Sequence, residues 1–322
     1  MNEFSPRNVV VLAGGISHER DVSLRSGRRV ADRLAEHGLT VTLRDPDASL
    51  LRFLCENRPD VVWPALHGAS GEDGALRALL DLIKVPYVGS RPAAARLAWD
   101  KPTAKVVVSR AGVSTPESVS LPRDTFRELG ADSILTIVAD TLGIPVVVKP
   151  AQGGSAQGVT IVTDPADLPR AMVGAYTYCD VVLIERLVIG AEIAIGVIDS
   201  GEGPIALPAV EIEPVSGVYS FEARYNAGET RFFTPARLSE EIAVRAAEVA
   251  VTAHRALGLR HLSRIDLIID SSGTPQFLEA NVLPGLTETS LLPLALEAAG
   301  HDLGWVYTAL AEAAIREDQE NT

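Results

Sequence analysis

The chain has 322 residues, of which 47% are hydrophobic and 22% charged, a composition typical of a globular protein with a substantial core and not of a disordered chain. Its formal net charge of −13 argues against nucleic acid or an anionic membrane as a partner, although a local cluster of Lys and Arg can still hold a triphosphate. Only two cysteines, Cys55 and Cys179, together with the lack of a signal-peptide pattern or a membrane-length apolar run, predict a cytoplasmic protein without disulfides, thiolate zinc or a membrane span.

The N-terminal segment predicts the opening of a βαβ unit. An apolar strand over Val9 to Leu12 runs through a Gly-Gly turn into a helix that Gly38 ends. The turn lacks the full dinucleotide fingerprint, so the segment does not predict NAD binding. A polar stretch, His18 to Ser23, follows the strand at the edge where α/β sheets bind ligands. Asp21 or Ser23 could simply cap the helix, but that leaves the charges beside them unexplained.

A second polar loop follows the strand predicted over Asp60 to Ala65. The segment from Leu66 to Gly74 has three glycines within seven residues, which let backbone approach a ligand closely. His67 and Glu72 lie in it, and a structural role and a site role are both open for the histidine. The Pro- and Ala-rich residues 91–95 indicate the end of this first unit.

The middle of the chain predicts a phosphate-covering flap. A helix begins at Asp100-Lys101, residues 123–142 are helical, and residues 112–122 form loops. The strand ending at Lys149 enters a Gly-rich hairpin loop, residues 151–158, whose N–H groups could face phosphates. The order of residues is not that of a Walker A loop. The alternative is a mobile hairpin with a surface lysine.

Two further segments have binding character. An apolar strand, Val181 to Glu185, leads to Glu192 and could line an adenosine pocket. The aromatic segment from Gly217 to Pro235 indicates a binding loop or, alternatively, a satellite hydrophobic cluster. Helices are predicted over residues 239–257, 291–299 and 303–315, and the acidic tail beyond Arg316 is expected to fray.

The hairpin from Ser263 to Asn281 carries the strongest chemical signal. Two alternating strands flank a turn, and pairing of Asp270 with Pro275 would put Asp266 opposite Glu279 and Arg264 opposite Asn281. Facing carboxylates roughly 5 Å apart repel unless a cation or proton is shared. Oxygen ligands suit Mg²⁺ or Mn²⁺ better than zinc. A solvated, charged hairpin face is the alternative.

The motifs, taken together in their order and spacing, resemble the D-alanine–D-alanine ligases of the ATP-grasp superfamily over nearly the whole chain. They are V-L-A-G-G-I-S-H-E-R-D-V-S-L-R-S-G (11–27), A-L-H-G-A-S-G-E-D-G (65–74), D-K (100–101), V-V-K-P-A-Q-G-G-S (147–155), F-E-A-R-Y (221–225), R-I-D (264–266), F-L-E-A-N-V-L-P-G-L-T (277–287) and S-L (290–291). The resemblance implies an α/β protein, α+β in parts, with the ATP-grasp fold. A Rossmann-like parallel-sheet domain (1–95) would precede a central ATP-grasp domain with the flap (96–187) and a C-terminal ATP-grasp domain with the metal and substrate site (188–322).

The same resemblance implies a cytoplasmic homodimer that joins two D-alanines through an acyl phosphate, with ATP and two Mg²⁺ (or Mn²⁺) ions per site, for peptidoglycan precursor synthesis. No nucleic-acid or membrane partner is implied. The ATP-binding residues would be Lys101, Lys149, Gly154, Glu185, Arg186, Val188 and Glu192, with Glu185 and Glu192 on adenine and ribose. The metal ligands would be Asp266, Glu279 and Asn281. The catalytic residues would be Glu19, Ser155, Tyr225, Arg264 and Gly285, and the substrate-binding residues His67, Arg224, Ser290 and Leu291.

Four positions depart from the family's usual pattern. The flap has Ala156-Gln157 in place of Ser-Val, Arg224 replaces Lys, Leu187 replaces an aromatic residue and Thr289 replaces the His of some members. The altered flap motivates an alternative, a related ATP-grasp ligase with a different second substrate in a secondary-metabolite pathway. Tyr225 in place of Phe favours an amine nucleophile over a hydroxy acid. A nucleotide-binding protein without catalysis is a third hypothesis.

Overall fold

The computed structural model describes residues 6–215 and 228–320, and the strands of these ranges form three sheets that follow one another along the chain. The first sheet is parallel, because a helical connection carries the chain back before each new strand. Its strands, in the spatial order β2-β1-β3, are β1 (Asn8–Leu12), β2 (Thr40–Arg44) and β3 (Val61–Pro64). The helices of this part are α1 (Arg20–Glu36), α2 (Leu50–Asn57), α3 (Ala69–Glu72) and α4 (Ala75–Leu82).

The second sheet is antiparallel and carries the Gly-rich loop between two of its strands. Its strands, in the order β4-β7-β5-β6, are β4 (Ser118–Pro122), β5 (Val146–Pro150), β6 (Thr160–Val162) and β7 (Val181–Arg186). The helices of this part are α5 (Pro92–Trp99), α6 (Lys101–Arg110), α7 (Arg123–Leu129), α8 (Ala131–Leu142) and α9 (Leu168–Tyr176), with a short 3₁₀ turn at Pro165–Asp167. The prediction of loops over residues 112–122 was wrong for β4. This strand lies at the sheet edge, where its terminal proline costs no ladder hydrogen bond.

The third sheet is also antiparallel and is the largest in the described ranges. Its strands, in the order β11-β10-β8-β12-β13 with β9 beside β8, are β8 (Gly190–Ile198), β9 (Ile205–Ala206), β10 (Val210–Pro214), β11 (Thr230–Phe233), β12 (Leu262–Asp270) and β13 (Pro275–Asn281). The helices are α10 (Glu240–Ala256), α11 (Leu291–Ala298) and α12 (Leu303–Glu320). Ser239 caps α10 as predicted, since its hydroxyl accepts the N–H of Ile242.

The β12–β13 hairpin contains a bulge that the sequence did not reveal. Asp266 faces Glu279 and Arg264 faces Asn281, as predicted, but Pro275 pairs with Ile269 and not with Asp270. The register shifts by one residue at Leu278, which restores the predicted pairs beyond it. Because of this bulge, Leu278 and Glu279 line the same cavity, which strict strand alternation would forbid.

The hydrophobic cores cross from one sheet to another. Helix α12 packs against α1 and β3, where the rings of Trp63 and Tyr307 lie 5.2 Å apart between centroids. Helices α5 and α6 pack with α10 on the third sheet and not on the second. These contacts join elements that are distant in sequence and hold the first and third sheets together.

The C-terminal tail is helical through Glu320, so the prediction of a frayed tail was wrong for residues 316–320. The guanidinium of Arg316 donates to the carbonyl of Ser200 at 2.7 Å, and Glu317 pairs with Arg260 at 2.7 Å. No helix in residues 6–215 and 228–320 has both the length and the apolar character needed to cross a bilayer. Most of the predicted aromatic binding loop, residues 217–227, lies outside the described residues.

Candidate active site

The larger of two adjacent cavities lies between the second and third sheets and has a volume of about 340 Å³. All seven residues predicted to contact ATP line it, together with two of the three predicted metal ligands: Lys101, Lys149, Gly154, Glu185, Arg186, Val188, Glu192, Asp266 and Glu279. Its remaining wall is largely apolar and includes Val147, Ile161 and Leu187. A cavity lined both by lysines and by apolar side chains fits a ligand that has a flat ring and a polyanion.

A buried carboxylate at the edge of this cavity is held by two ammonium groups. Glu185 is 2% exposed, and its two oxygens bind Lys105 and Lys149 separately. Burial alone would raise the pKa of Glu185, but the charges of Lys149 and Lys105 outweigh burial and keep that pKa below its ordinary value. Glu185 is therefore ionised here and is bound to lysines, although the sequence predicted contacts with adenine or ribose for it.

The predicted metal ligands meet at the bulged hairpin, where basic side chains face them. Arg264 binds both oxygens of Asp266 at 2.7 Å, and the amide of Asn281 donates to Asp266 at 3.2 Å. The ammonium of Lys101 lies 3.2 Å from Glu279 and donates to the carbonyl of Gly153 at 2.6 Å. Residues 6–215 and 228–320 hold no cluster of three or more His, Cys, Asp or Glu side chains arranged for a metal ion. The candidate set is two carboxylates and one amide oxygen, a donor chemistry that fits Mg²⁺ or Mn²⁺.

The smaller cavity, of about 180 Å³, adjoins the larger one at Gly154, which lines both. It gathers residues from the loops after β1 and β3, from the flap and from the segment after β13. Besides Gly154, eight residues predicted from the sequence line it: Glu19, His67, Ser155, Arg264, Asn281, Gly285, Ser290 and Leu291. Two carboxyl groups and two guanidinium groups border it, which suits ligands that carry both an ammonium and a carboxylate.

A direct hydrogen bond joins the flap to the N-terminal loop. The hydroxyl of Ser155 donates to the carboxylate of Glu19, 136 residues away in sequence. Ser155 and Ala156 both adopt left-handed backbone conformations, with φ of 53° and 56°. Two consecutive non-glycine residues in this region store local strain, a feature often associated with functional loops. The Ser155–Glu19 contact holds the flap against the smaller cavity.

His67 is buried, and a hydrogen bond from its ring connects the loop after β3 to the segment after β13. Its Nδ1 donates to the carbonyl of Leu283 at 3.1 Å, so its Nε2 accepts from the hydroxyl of Ser26 at 3.3 Å. Ser26 in turn accepts the N–H of Leu286 at 3.1 Å. Burial lowers the pKa of His67, which keeps the ring neutral and the relay intact.

Glu72 is a second carboxyl group at the smaller cavity, and it is 8% exposed. It accepts the N–H of Gly68 at 2.8 Å. Burial and, secondarily, the charge of Glu19 raise the pKa of Glu72 to about 8. The group is therefore mostly protonated at neutral pH and can donate or accept a proton in the cavity.

The turn from Gly285 to Ser290 forms the far wall of the smaller cavity. The hydroxyl of Ser290 accepts the N–H of Thr287 at 3.0 Å and lies 2.8 Å from the hydroxyl of Thr287. A Cβ at Gly285 would lie 2.7 Å from the hydroxyl of Ser290, so only glycine fits there without displacing that group. Helix α11 begins at Leu291, and its first N–H groups lie beside this turn.

Two predicted residues, Arg224 and Tyr225, lie outside the described residues. Sequence reasoning assigned no role to Lys105 or Ser26 and noted Glu72 only as a neighbour of His67. The rarity of lysine could have pointed to Lys105, which is one of only four lysines in the chain. Nothing in the sequence points to Ser26, since its hydrogen-bond partners are 41 and 260 residues away.

Comparison with family models and comparison with curated proteins identify the same family. Sequence models described as D-ala D-ala ligase C-terminus and N-terminus match residues 107–313 and 52–90. A curated relative from Anaeromyxobacter sp. (strain Fw109-5), named D-alanine--D-alanine ligase, is 41% identical over 312 residues, 97% of this chain and 97% of the relative.

Two solved structures superpose on nearly the whole chain. The D-alanine--D-alanine ligase from Bacillus anthracis complexed with ATP does so with a TM-score of 0.82 and 26% identity, covering 98% of this chain and 100% of that one. The VanG D-Ala:D-Ser ligase from Enterococcus faecalis gives a TM-score of 0.82 and 26% identity, covering 96% and 99%.

Proposed function

The chain belongs to the D-alanine–D-alanine ligase family, and from that premise we propose how its two cavities divide the work of one reaction. The protein is an ATP-dependent ligase with the ATP-grasp fold that forms D-alanyl-D-alanine from two D-alanines. One observation carries the assignment of the cavities: a cavity lined by lysines and apolar side chains adjoins, at Gly154, a cavity bordered by Glu19 and Arg264. A phosphoryl donor in the first would face an amino acid in the second.

ATP binds in the larger cavity. The purine lies against the apolar wall near Leu187 and Val188, with Glu192 near the ribose. Lys101 and Lys149 meet the phosphates at the flap end, where the backbone of Gly153 and Gly154 also lies. Lys149 exchanges part of its contact with Glu185 for a phosphate when the nucleotide binds.

Divalent cations would be held by Asp266, Glu279 and Asn281. These residues fit the group, because they lie on facing strands, with Asp266 and Glu279 at the larger cavity and Asn281 at the smaller one. Mg²⁺ supplies neutralisation of phosphate charge when it is bound. Arg264 and Lys101, which pair with these carboxylates in the structure, would then be released toward the substrates.

The smaller cavity holds the two amino acids. Glu19, fixed by Ser155, grips the ammonium of the first D-alanine, whose carboxylate attacks the γ-phosphate to give an acyl phosphate and ADP. The amine of the second D-alanine, with its carboxylate at Ser290 and Leu291, attacks the acyl carbon, and phosphate and a proton leave as the amide forms. Arg264 and the N–H of Gly285 stabilise the oxyanion between these steps, while His67 holds the loop that carries Gly285.

Several wider features belong to the same proposal. The three sheets support a division into domains 1–95, 96–187 and 188–322, with α5, α6 and α12 packing across the divisions. The family suggests a homodimer, a cytoplasmic location, and a role for the dipeptide in the peptidoglycan precursor. Arg224 and Tyr225 would complete the smaller cavity. The alternative of a different second substrate is not favoured by the curated relatives' names.

Phosphate release from ATP tests this function with a panel of D- and L-amino acids and D-lactate. We expect release with D-alanine alone and a dipeptide product by mass spectrometry. No release with D-alanine, but release with D-alanine plus another acid, would establish the alternative ligase. Turnover that is independent of any amino acid, or none with any acid, would support nucleotide binding without ligation.

A further inference from the structure

Lysine is rare in this chain and concentrated at one place. The sequence contains four lysines against 25 arginines, and three of the four, Lys101, Lys105 and Lys149, lie at the larger cavity and are at most 8% exposed. Two of them line the cavity. Lys105 does not line it, yet it is the most buried of the three, at 4% exposed.

We infer that Lys105 is a positioning residue of the ATP site, which shares Glu185 with Lys149 and so keeps Lys149 available to a phosphate. The inference rests on the proposed binding of ATP in the larger cavity. It assigns to Lys105 an effect on phosphate binding although Lys105 itself does not line that cavity.

The geometry of the group supports this role. Lys105 projects from α6 and has two partners, the carboxylate of Glu185 and the carbonyl of Pro116 at 2.9 Å. Lys149 binds the other oxygen of Glu185 from β5. The two lysines thus occupy opposite oxygens of one carboxylate, and the buried group carries two positive charges and one negative charge.

Charge balance gives the functional consequence. With Lys105 in place, the negative charge of Glu185 is balanced by Lys105. The three side chains together then offer a net positive charge to a polyanion. Without Lys105, Glu185 would pair with Lys149 alone, and the pair would have no net charge. A phosphate would then compete with a buried carboxylate for Lys149, in an environment where charge pairs are strong.

An arginine would not serve the same purpose at position 105. An ammonium is compact and can direct its N–H groups at both the carboxylate and the carbonyl of Pro116, whereas a planar guanidinium is larger and fixed in shape. The retained lysine in an arginine-rich chain agrees with this steric requirement.

The test measures, by calorimetry on the full-length protein, the affinities for ATP and for adenosine. We expect Lys105→Met to weaken ATP by about 10- to 100-fold, the range of a charge-assisted contact, and to change adenosine by less than about threefold. Lys84→Met, at the remaining and exposed lysine, is the matched control and should leave both affinities unchanged. Lys105→Arg should not restore ATP binding.

A double-mutant cycle separates charge sharing from simple packing. In the Glu185→Gln background no carboxylate competes for Lys149, so adding Lys105→Met should lower the ratio of ATP to adenosine affinity by clearly less than it does in the parent protein. The double variant should also recover that ratio relative to Lys105→Met alone. If the Lys105→Met variant does not fold, Glu185→Gln and the double variant can still be compared, because neither has a carboxylate at position 185.

Three outcomes would overturn the inference. They are equal losses for ATP and adenosine in Lys105→Met, a fall of the ratio in the Glu185→Gln background as large as in the parent protein, or a Lys105→Met variant that folds and binds ATP like the parent protein. Each leaves the ligase function standing. Failure of the parent protein to bind ATP at all would instead reject the proposed nucleotide cavity and the inference with it.

Discussion

The two cavities differ in how they are built. The larger is formed by two adjacent sheets and α6, and its key charges form ion pairs made within residues 101–279. The smaller draws on loops from residue 19 to residue 291 and depends on hydrogen bonds between segments distant in sequence, such as Ser155 to Glu19. Nucleotide binding should therefore tolerate disturbance of the N-terminal loops, whereas amino-acid binding should not.

The strongest test of this contrast is Glu279→Gln, at the boundary between nucleotide and amino acid. Loss of one anionic metal ligand should lower kcat/KM by about 10³-fold, because phosphate charge would be left uncompensated. ATP turnover is measured against Mg²⁺ and Mn²⁺ concentration, and the variant should need more metal. The exposed Glu128→Gln is the control. Unchanged turnover in Glu279→Gln would show that the metal assignment is wrong.

Glu72→Gln tests how the smaller cavity responds to pH. The pKa of Glu72 is raised to about 8 from 4.5, so the folded protein holds a proton that the unfolded chain releases. The stability contributed by this proton is fully present below pH 4.5 and is lost as pH rises, by about 1.4 kcal/mol per unit, until it is gone above about pH 8.

The Gln variant keeps the Gly68 contact and lacks this titration. Its advantage in the free energy of unfolding should therefore grow with pH to a few kcal/mol and level off above about pH 8. Urea unfolding between pH 6 and 9 measures the difference, and Glu128→Gln should show none. A difference that does not change with pH would mean that Glu72 is ionised in the folded protein.

Glu19→Gln separates the two cavities kinetically. We expect the KM for D-alanine to rise by about 10- to 100-fold, because an ammonium loses its charged partner, while ATP affinity changes by less than about twofold. The neighbouring Asp21→Asn, exposed in the first turn of α1, serves as the control. A comparable loss of ATP affinity would contradict the separation of the two cavities.

The smallest expected effect concerns the support of the N-terminal loop. A Cβ at Gly27 would lie 2.3 Å from the Cβ of Ala13, so Gly27→Ala should destabilise the protein by about 1–3 kcal/mol and weaken D-alanine more than ATP. Gly174→Ala, in α9 with open space around it, should instead stabilise by about 0.5–1 kcal/mol. Thermal unfolding and the two KM values measure both. If the two variants changed the stability equally, the close approach of α1 to β1 could not explain the effect of Gly27→Ala.

Most of the helices and strands, and most of the residues that line the two cavities, could be predicted from the sequence. Strand alternation in β12 and β13, the glycines of the flap and the Ser239 cap depend on neighbours within a few residues, so their patterns are visible locally. The family resemblance then placed Glu19, Lys149, Asp266 and the other lining residues, and the structure brings those in the described ranges together.

The contacts that these residues make with one another could not be predicted in the same way. The bulge at Leu278, the sharing of Glu185 by Lys105 and Lys149, and the relay from Ser26 through His67 depend on packing between segments. The His67 contact with Leu283 spans 216 residues. A hydrogen bond over such a separation forms only where the cores have fixed the two backbones, and no periodicity or spacing in the chain records that position.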